Sequence, residues 1–288
     1  MVTVRAMTES DLPGAVEVWD EAFRTMAPEY GLPQAPRTPE GDLRVQNRKA
    51  HFLATDPGGS FVADEGGTVV GLSQSFVREG YWVLSALAMA PQWQGQGLGR
   101  RLLGAAMGNA DPDGPGTIQS SRDPRAMALY ASAGFSLHPA VRAYGAVRST
   151  TLAPDPGVRL GDERELELVE AIDRAVRGSA RTVDIAALLE EPRNRLLVAG
   201  DQGYAVVQED RVVTLGARDE DAATALLRTA LAESGPGRTV EVSWLTSSQQ
   251  WAIGVLVAAG VDLHPLGAVM VRGMPGLPTP YIPSGGYG

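Results

Sequence analysis

The chain contains no cysteine. That excludes a disulfide framework, a thiolate nucleophile, an iron–sulfur cluster and any cysteine-ligated zinc site. Histidine is scarce too. His51, His138 and His264 are too few and too scattered for a metal site, so no metal is expected. Basic residues are outnumbered, 25 against 34 acidic ones, for a formal net charge of −9. Phosphate contacts need clustered Lys and Arg, so this balance argues against nucleic acid as a partner and suits a soluble enzyme. No run of about 18 apolar residues occurs, so no membrane span is expected. The longest apolar stretch, Tyr81 to Pro91, has the length of a strand. The opening residues Met1 to Glu9 lack a basic region followed by an apolar one, which makes the cytoplasm the expected location.

What the sequence does contain is enough for a globular core. It has 288 residues, 44% hydrophobic and 20% charged, a length that favours two domains or one large one. Val2 to Met7 reads as a strand. Thr8-Glu9-Ser10-Asp11 offers cap chemistry before a helix marked by Leu12, Ala15, Val16, Trp19 and Phe23. Pro33, Pro36 and Pro39 mark a loop, and a second helix runs from about Glu40 to Ala54. Ser60–Asp64 and Thr68–Arg78 read as a hairpin, Tyr81–Met89 as a strand and Leu98–Met107 as a helix. Thr117–Ser121 reads as a strand, Arg125–Ser132 as a helix, and Phe135–Val147 as two strands.

The pattern then recurs. Val4-Arg5 matches Val158-Arg159 at an offset of 154, and Leu137-His138-Pro139 matches Leu263-His264-Pro265 at an offset of 126. With a linker at Leu152–Gly157, these matches read as a tandem duplication whose second copy is shorter by the difference, about 28 residues. The expected domains are residues 1–150 and 151–288.

Chemistry concentrates in one segment, Leu84 through Leu103. An apolar strand ends at Pro91, crosses the turn Gln94-Gly95-Gln96-Gly97-Leu98-Gly99, and enters an amphipathic helix at Arg100-Arg101. Glycines let backbone N–H groups approach an anion closely, and a helix N-terminus adds its positive dipole. A pyrophosphate is the natural guest. A Walker loop would need Gly-Lys-Ser/Thr, and no lysine follows Gly99. A dinucleotide fold would need an acidic residue about 20 residues on, and Asp111 and Asp113 fit that poorly. The remaining template, Gln/Arg-x-x-Gly-x-Gly/Ala, fits in full.

At these residues the sequence resembles the GNAT superfamily of acetyl-CoA-dependent N-acetyltransferases, and with the repeat it resembles the tandem bacterial type. Ala126-x-x-Leu129-Tyr130-x-x-x-Gly134-Phe135 is similar to a second motif of that family, with Asp123 standing where the family has asparagine. The resemblance covers roughly residues 1–150. It implies an α+β fold of two tandem GNAT-like domains, each a mixed, mostly antiparallel sheet flanked by helices. It also implies that the Tyr81–Met89 strand diverges from the Thr117–Ser121 strand. The backbone of Leu87, Ala88 and Met89 would then lie beside pantetheine. Gln94, Gly95, Gln96, Gly97, Leu98, Gly99 and Arg100 would hold the pyrophosphate of acetyl-CoA. Tyr130 would be the catalytic acid and Glu79 a candidate base. Ser120 and Ser121 could orient water, but strand-end capping is the favoured reading. Glu21, Arg24 and Tyr30 lie where the family often lines its acceptor pocket, although surface charge is the favoured reading of each. The implied reaction is direct acetyl transfer to a small-molecule or peptide amine, by a monomer or homodimer. The alternative is a coenzyme A-binding sensor without turnover. His138 and His264 are expected to be structural.

The second copy lacks the turn. Its matching strand, Arg211–Ala217, is followed by Arg218-Asp219-Glu220-Asp221 and a helix from Thr224. Those acids complement a helix N-terminus but would repel a pyrophosphate. The position of Tyr130 falls at Leu256. This half is therefore expected to be a degenerate copy without the cofactor. The charged stretch Asp173–Asp184 reads as an interdomain contact or a solvated helix. The tail from Gly276 reads as disordered or as packed extended along a surface.

Overall fold

In the computed structural model residues 1–29 and 37–288 are described; Tyr30, Pro33 and Pro36 lie outside the described residues. The chain divides into two compact units, Met1–Ile118 and Gln119–Gly288.

The first unit holds β1 (Thr3–Ala6), α1 (Leu12–Glu29), α2 (Pro39–Thr55), β2 (Ser60–Glu65), β3 (Thr68–Arg78), β4 (Tyr81–Met89), α3 (Leu98–Ala106) and most of β5 (Gly116–Ser120). Its sheet order is β1-β2-β3-β4-β5. The first four strands are antiparallel neighbours and β4–β5 is parallel. Alternating strand residues face opposite sides. Val62, Leu72, Ala86 and Ala88 accordingly pack on Leu12, Ala15 and Val18 of α1, with Ala50 and Leu53 of α2 alongside. Their neighbours Ala63 and Met89 pack on Leu98 and Leu102 of α3, joined by Val70, which the register shift against β2 turns to that face. Helices thus cover both faces.

The second unit holds α4 (Pro124–Ser132), β6 (Ser136–Ala146), β7 (Val158–Gly161), α5 (Leu166–Arg177), α6 (Thr182–Leu189), β8 (Arg195–Ala199), β9 (Gly203–Gln208), β10 (Arg211–Ala217), α7 (Glu220–Ser234), β11 (Thr239–Leu245), α8 (Gln250–Ala258), β12 (Leu263–Arg272) and β13 (Tyr281–Ile282). Its sheet runs β12-β6-β11-β10-β9-β8-β7, with β13 also on β10. Only β10–β11 is parallel in this series. Phe135–Val147, expected as two strands, is the single strand β6. A register shift between Pro265 and Gly267 takes up the irregularity in β12, so β6 runs unbroken past Pro139.

The repeat is visible throughout. The helices α4 and α8 keep the 126 offset at both ends, and α1 and α5 start 154 apart. The bidentate pair of Arg5 with Asp11, at 2.7 Å, recurs as Arg159 with Glu165 at 2.5 Å. The compact units nevertheless divide earlier than the sequence copies do. β6, the last strand of the first copy, is bonded to both β11 and β12 and completes the sheet of the second.

The tail is ordered by packing: Tyr281 and Ile282 are buried, and β13 pairs with β10. Asp173, Arg177, Arg181 and Asp184 are buried rather than solvated, because they pair within the unit and with the tail. The helix expected from Thr224 starts at Glu220, where Asp219 caps it: its side chain accepts from Ala222 N–H at 2.8 Å.

Candidate active site

The strand β4 begins at a tight hairpin turn. Glu79 and Gly80 both take positive φ, 48° and 81°. Aromatic and branched residues then carry β4 through the interior. It pairs with β5 only over Trp82, Val83 and Leu84, opposite Gly116, Thr117 and Ile118. At Ser85 the ladder with β3 slips: Gln74 faces Ala86 and Ser75 faces Leu84, leaving Ser85 as a bulge. Beyond it, no strand among the described residues pairs with the outer edge of Ala86 to Met89. The pairing of β4 with β5 thus ends at Leu84, one residue before the bulge. The hydroxyl of Ser85 is buried there without a hydrogen-bond partner among the described residues. A lone serine inside the apolar run Val83-Leu84-Ser85-Ala86-Leu87 was the one available sign of it.

The turn follows at the far end of β4. Gln94 donates its side-chain amide to the Met89 carbonyl at 3.2 Å, tying turn to strand. Gly95 and Gly97 have φ of 76° and 78°, and Gly97 is the N-cap of α3. Only glycine takes this region readily. The first backbone bond into α3 runs from Arg101 N–H to Gly97, which leaves Leu98, Gly99 and Arg100 as first-turn donors. Three buried side chains hold the other end of α3 against the sheet. Ser73 donates to the Leu102 carbonyl at 3.0 Å, and Ser75 and Trp82 to that of Ala106 at 2.7 and 3.1 Å. Gly71 lies so close to Met89 that a Cβ there would fall 2.2 Å from its sulfur. The result is a rigid helix whose positive end stands beside the open edge of β4. The segment Pro91–Leu103 carries two arginines and no acid, against the sign of the whole chain. These donors suit a pyrophosphate, and the unpaired strand edge suits an amide-bearing arm.

The other expected residues lie elsewhere. Glu79 is exposed at the opposite end of β4, about 30 Å from Met89 at the usual rise per residue. Tyr130 is in the second unit, buried on α4. Burial, with the nearby Asp123 carboxylate, raises its hydroxyl pKa well above the ordinary tyrosine value. Asp123 itself caps α4, accepting from Arg125 N–H at 2.8 Å, so helix capping accounts for an acid at that position. Ser120 donates to the Ser121 carbonyl at 3.1 Å. Glu21 and Arg24 are exposed on α1, where Arg24 pairs with Asp20. His264 lies 3.2 Å from the Tyr144 carbonyl across paired strands, and His138 faces Val269. Among the described residues no group of three or more His, Asp or Glu is placed to hold a metal. None of the described helices is long and apolar enough to cross a membrane.

Residues 19–135 match the profile of the acetyltransferase (GNAT) family. Over that segment the chain is similar to a GNAT acetyltransferase domain. Solved structures share the fold over the whole length. A candidate acetyltransferase from Pyrococcus horikoshii is 18% identical, with all of this chain and 96% of that chain covered at a TM-score of 0.78. A GCN5-related N-acetyltransferase from Sphaerobacter thermophilus is 17% identical over 96% and 97% of the chains, at 0.59. A tandem GNAT protein from the clavulanic acid biosynthesis pathway is 16% identical over 96% and 100%, at 0.56. No curated protein matches in sequence. The profile match takes in the GNAT turn and α4 but stops before β6, the strand given to the second sheet.

Proposed function

We propose that this protein moves an acetyl group from acetyl-coenzyme A directly to a primary amine. The observation that carries the reading is the unpaired edge of β4 beyond Leu84, set against the glycine turn that opens α3. Acetyl-coenzyme A supplies the acetyl group as a thioester. The N–H groups of Gly95 through Arg100 hold its pyrophosphate, with Gln94 fixing the turn. The backbone of Leu87, Ala88 and Met89 pairs with the pantetheine arm. The buried Ser85 hydroxyl, without a partner among the described residues, is a polar group for which an amide-bearing ligand provides a mate. A backbone amide of β4 at the thiol end of the arm polarises the carbonyl under attack.

Tyr130 donates the proton that leaves with the thiol. Its raised pKa keeps the hydroxyl protonated, as a donor requires. Glu79, exposed in the turn that opens β4, stands beyond the thiol end of the arm and is the candidate base for the amine proton, with solvent as the relay. Without cysteine, no acyl-cysteine can form, and direct transfer is the simpler route. Residues 1–150 supply the chemistry. Residues 151–288 form the degenerate copy, in which Asp219 satisfies the helix donor that a phosphate would need. The acceptor is a small-molecule or peptide amine, and the protein acts in the cytoplasm as a monomer or homodimer.

The test is thiol release from acetyl-coenzyme A with purified protein across a panel of amines, beside calorimetric binding of the coenzyme. Turnover on at least one amine is expected. Binding without turnover on any amine would make the protein a sensor. Failure to bind would remove the reading of the turn.

A further inference from the structure

The edge of β10 that corresponds to the open edge of β4 is occupied. β10 follows β11 only through Val212, and Val213 is then a bulge: Val212 faces Val207 and Thr214 faces Val206. Leu84 and Ser85 stand at the same two points of β4. Counted from the bulges, Leu215, Gly216 and Ala217 are the counterparts of Leu87, Ala88 and Met89. These residues have a partner. In the β13 pairing, Ile282 lies opposite Leu215 and Tyr281 opposite Gly216. Ala217 N–H donates to the Pro280 carbonyl at 3.1 Å, and Thr214 Oγ1 to that of Ile282 at 2.9 Å. The chain's own tail runs along the second copy where, on the reading above, pantetheine runs along the first.

More than a strand pairing holds it. The ring of Tyr281 lies close to two buried arginines, with guanidinium carbons 5.6 Å (Arg177) and 5.3 Å (Arg181) from its centroid. Arg181 is anchored from behind by Asp173 at 3.0 Å, Tyr204 at 3.0 Å and Thr214 at 2.7 Å. In front it donates to the carbonyls of Tyr287, at 3.1 Å, and Gly288. The Tyr281 hydroxyl and Ser284 N–H both donate to the Gly288 oxygen, at 2.6 and 3.1 Å, curling the tail around the guanidinium. Gly285 fits against Trp244 so closely that a Cβ would lie 2.8 Å from its indole nitrogen. A fully buried arginine is tolerated only where its donors are met, and the tail meets two of them. Without the tail, β10 keeps an unpaired edge and Arg181 loses acceptors.

We propose that the second copy has become a receptor for an extended peptide, filled in cis by residues 278–288 of this chain. Backbone pairing to β10 supplies the affinity, and the Arg177–Arg181 pocket selects a tyrosine. Asp219 at the start of α7 completes the exchange of ligand class: the cleft takes a peptide strand and no longer takes a pyrophosphate.

The test inserts a site-specific protease sequence between Gly276 and Leu277 of the full-length chain, which is folded and then cut. The fragment Leu277–Gly288 should stay with the remainder through gel filtration. It should exchange with a labelled synthetic copy, and a copy carrying Tyr281→Ala should compete about tenfold less well or worse. Millimolar coenzyme A should leave it in place. A fragment that elutes apart from a folded remainder, or one that coenzyme A displaces, overturns the proposal. Should the insertion prevent folding, amide exchange on the intact chain decides. Tyr281→Ala should expose the tail and the Ala217 amide while β9 and α7 stay protected; loss of protection across the whole second unit would make the tail ordinary core and end the proposal.

Discussion

The amine nitrogen of Lys49 lies 4.4 Å from the ring centroid of Trp19, buried and without a hydrogen-bond partner among the described residues. Burial, with the neighbouring Arg48 charge, pushes its pKa well below the ordinary lysine value. The folded state therefore binds fewer protons here than the unfolded chain, and at neutral pH Lys49 opposes folding. Lys49→Met should raise stability by about 1–3 kcal/mol. The gain should shrink as pH rises toward the unfolded value near 10.5, where both states become neutral. Urea unfolding of both proteins from pH 7 to pH 10 measures it; an equal difference at every pH would refute the titration.

Gly97→Ala tests the turn. The site has open space, with nothing within 4 Å of an added Cβ, so the cost is the strained φ of 78° alone. A loss of about 1–2 kcal/mol in stability is expected, with coenzyme A affinity down tenfold or more. Gly66→Ala, at φ 58° in the β2–β3 hairpin and equally open, is the control. It should cost similar stability and leave affinity untouched. Calorimetric titration of both separates strain from ligand contact.

Tyr130→Phe should lower turnover by about 100-fold while coenzyme A binding is unchanged. The raised hydroxyl pKa has a second consequence. Turnover in the wild type should show no alkaline fall from loss of this proton up to pH 10, because the group stays protonated there. A kcat–pH profile with an alkaline limb below pH 10 that Tyr130→Phe removes would contradict the raised pKa, and an unchanged turnover in Tyr130→Phe would contradict the assignment.

Asp11 accepts two bonds from Arg5 and one from Thr8 N–H, and its carboxyl is held down to about 2, with the Arg5 hydrogen bonds the largest cause. A lowered carboxyl pKa contributes stability above the unfolded value of 3.8, and that stability is lost as pH falls toward 2. Asp11→Asn should cost about 1–2 kcal/mol at pH 7, since half-exposed Arg5 is screened by solvent. The difference from wild type should vanish by pH 2.

Much of the fold was legible because its signals are local. A continuous apolar run closed by proline marked β4 to the residue, Tyr81 to Met89, and α2 was read within a residue at each end, with Pro39, given to the loop, as its first residue. The glycine turn could be read because glycine with positive φ, followed by an amphipathic helix, leaves few other structures. Harder features depended on partners far along the chain. The bulge at Ser85 exists only as a slip against Gln74 and Ser75 of β3. The Asp173–Asp184 stretch looks like a surface in sequence, since nothing local says that Arg181 will meet Tyr204, Thr214 and the tail. Glu79 could be read as a carboxylate beside β4, but its distance from the acyl group depends on where β4 parts from β5.

By itself the sequence carried the family resemblance, the internal repeat, the glycine turn and the absence of a thiol. Each rests on residue identity or on spacing within one element, where backbone sterics and side-chain chemistry act over a few residues. The tertiary structure alone decided which sheet β6 joins, where β4 parts from β5, and what lies along β10. Strand edges are interchangeable in sequence: any main chain offers the same N–H and C=O groups. Which segment fills an edge is settled by burial and by charges such as Arg181 that only one neighbour can satisfy.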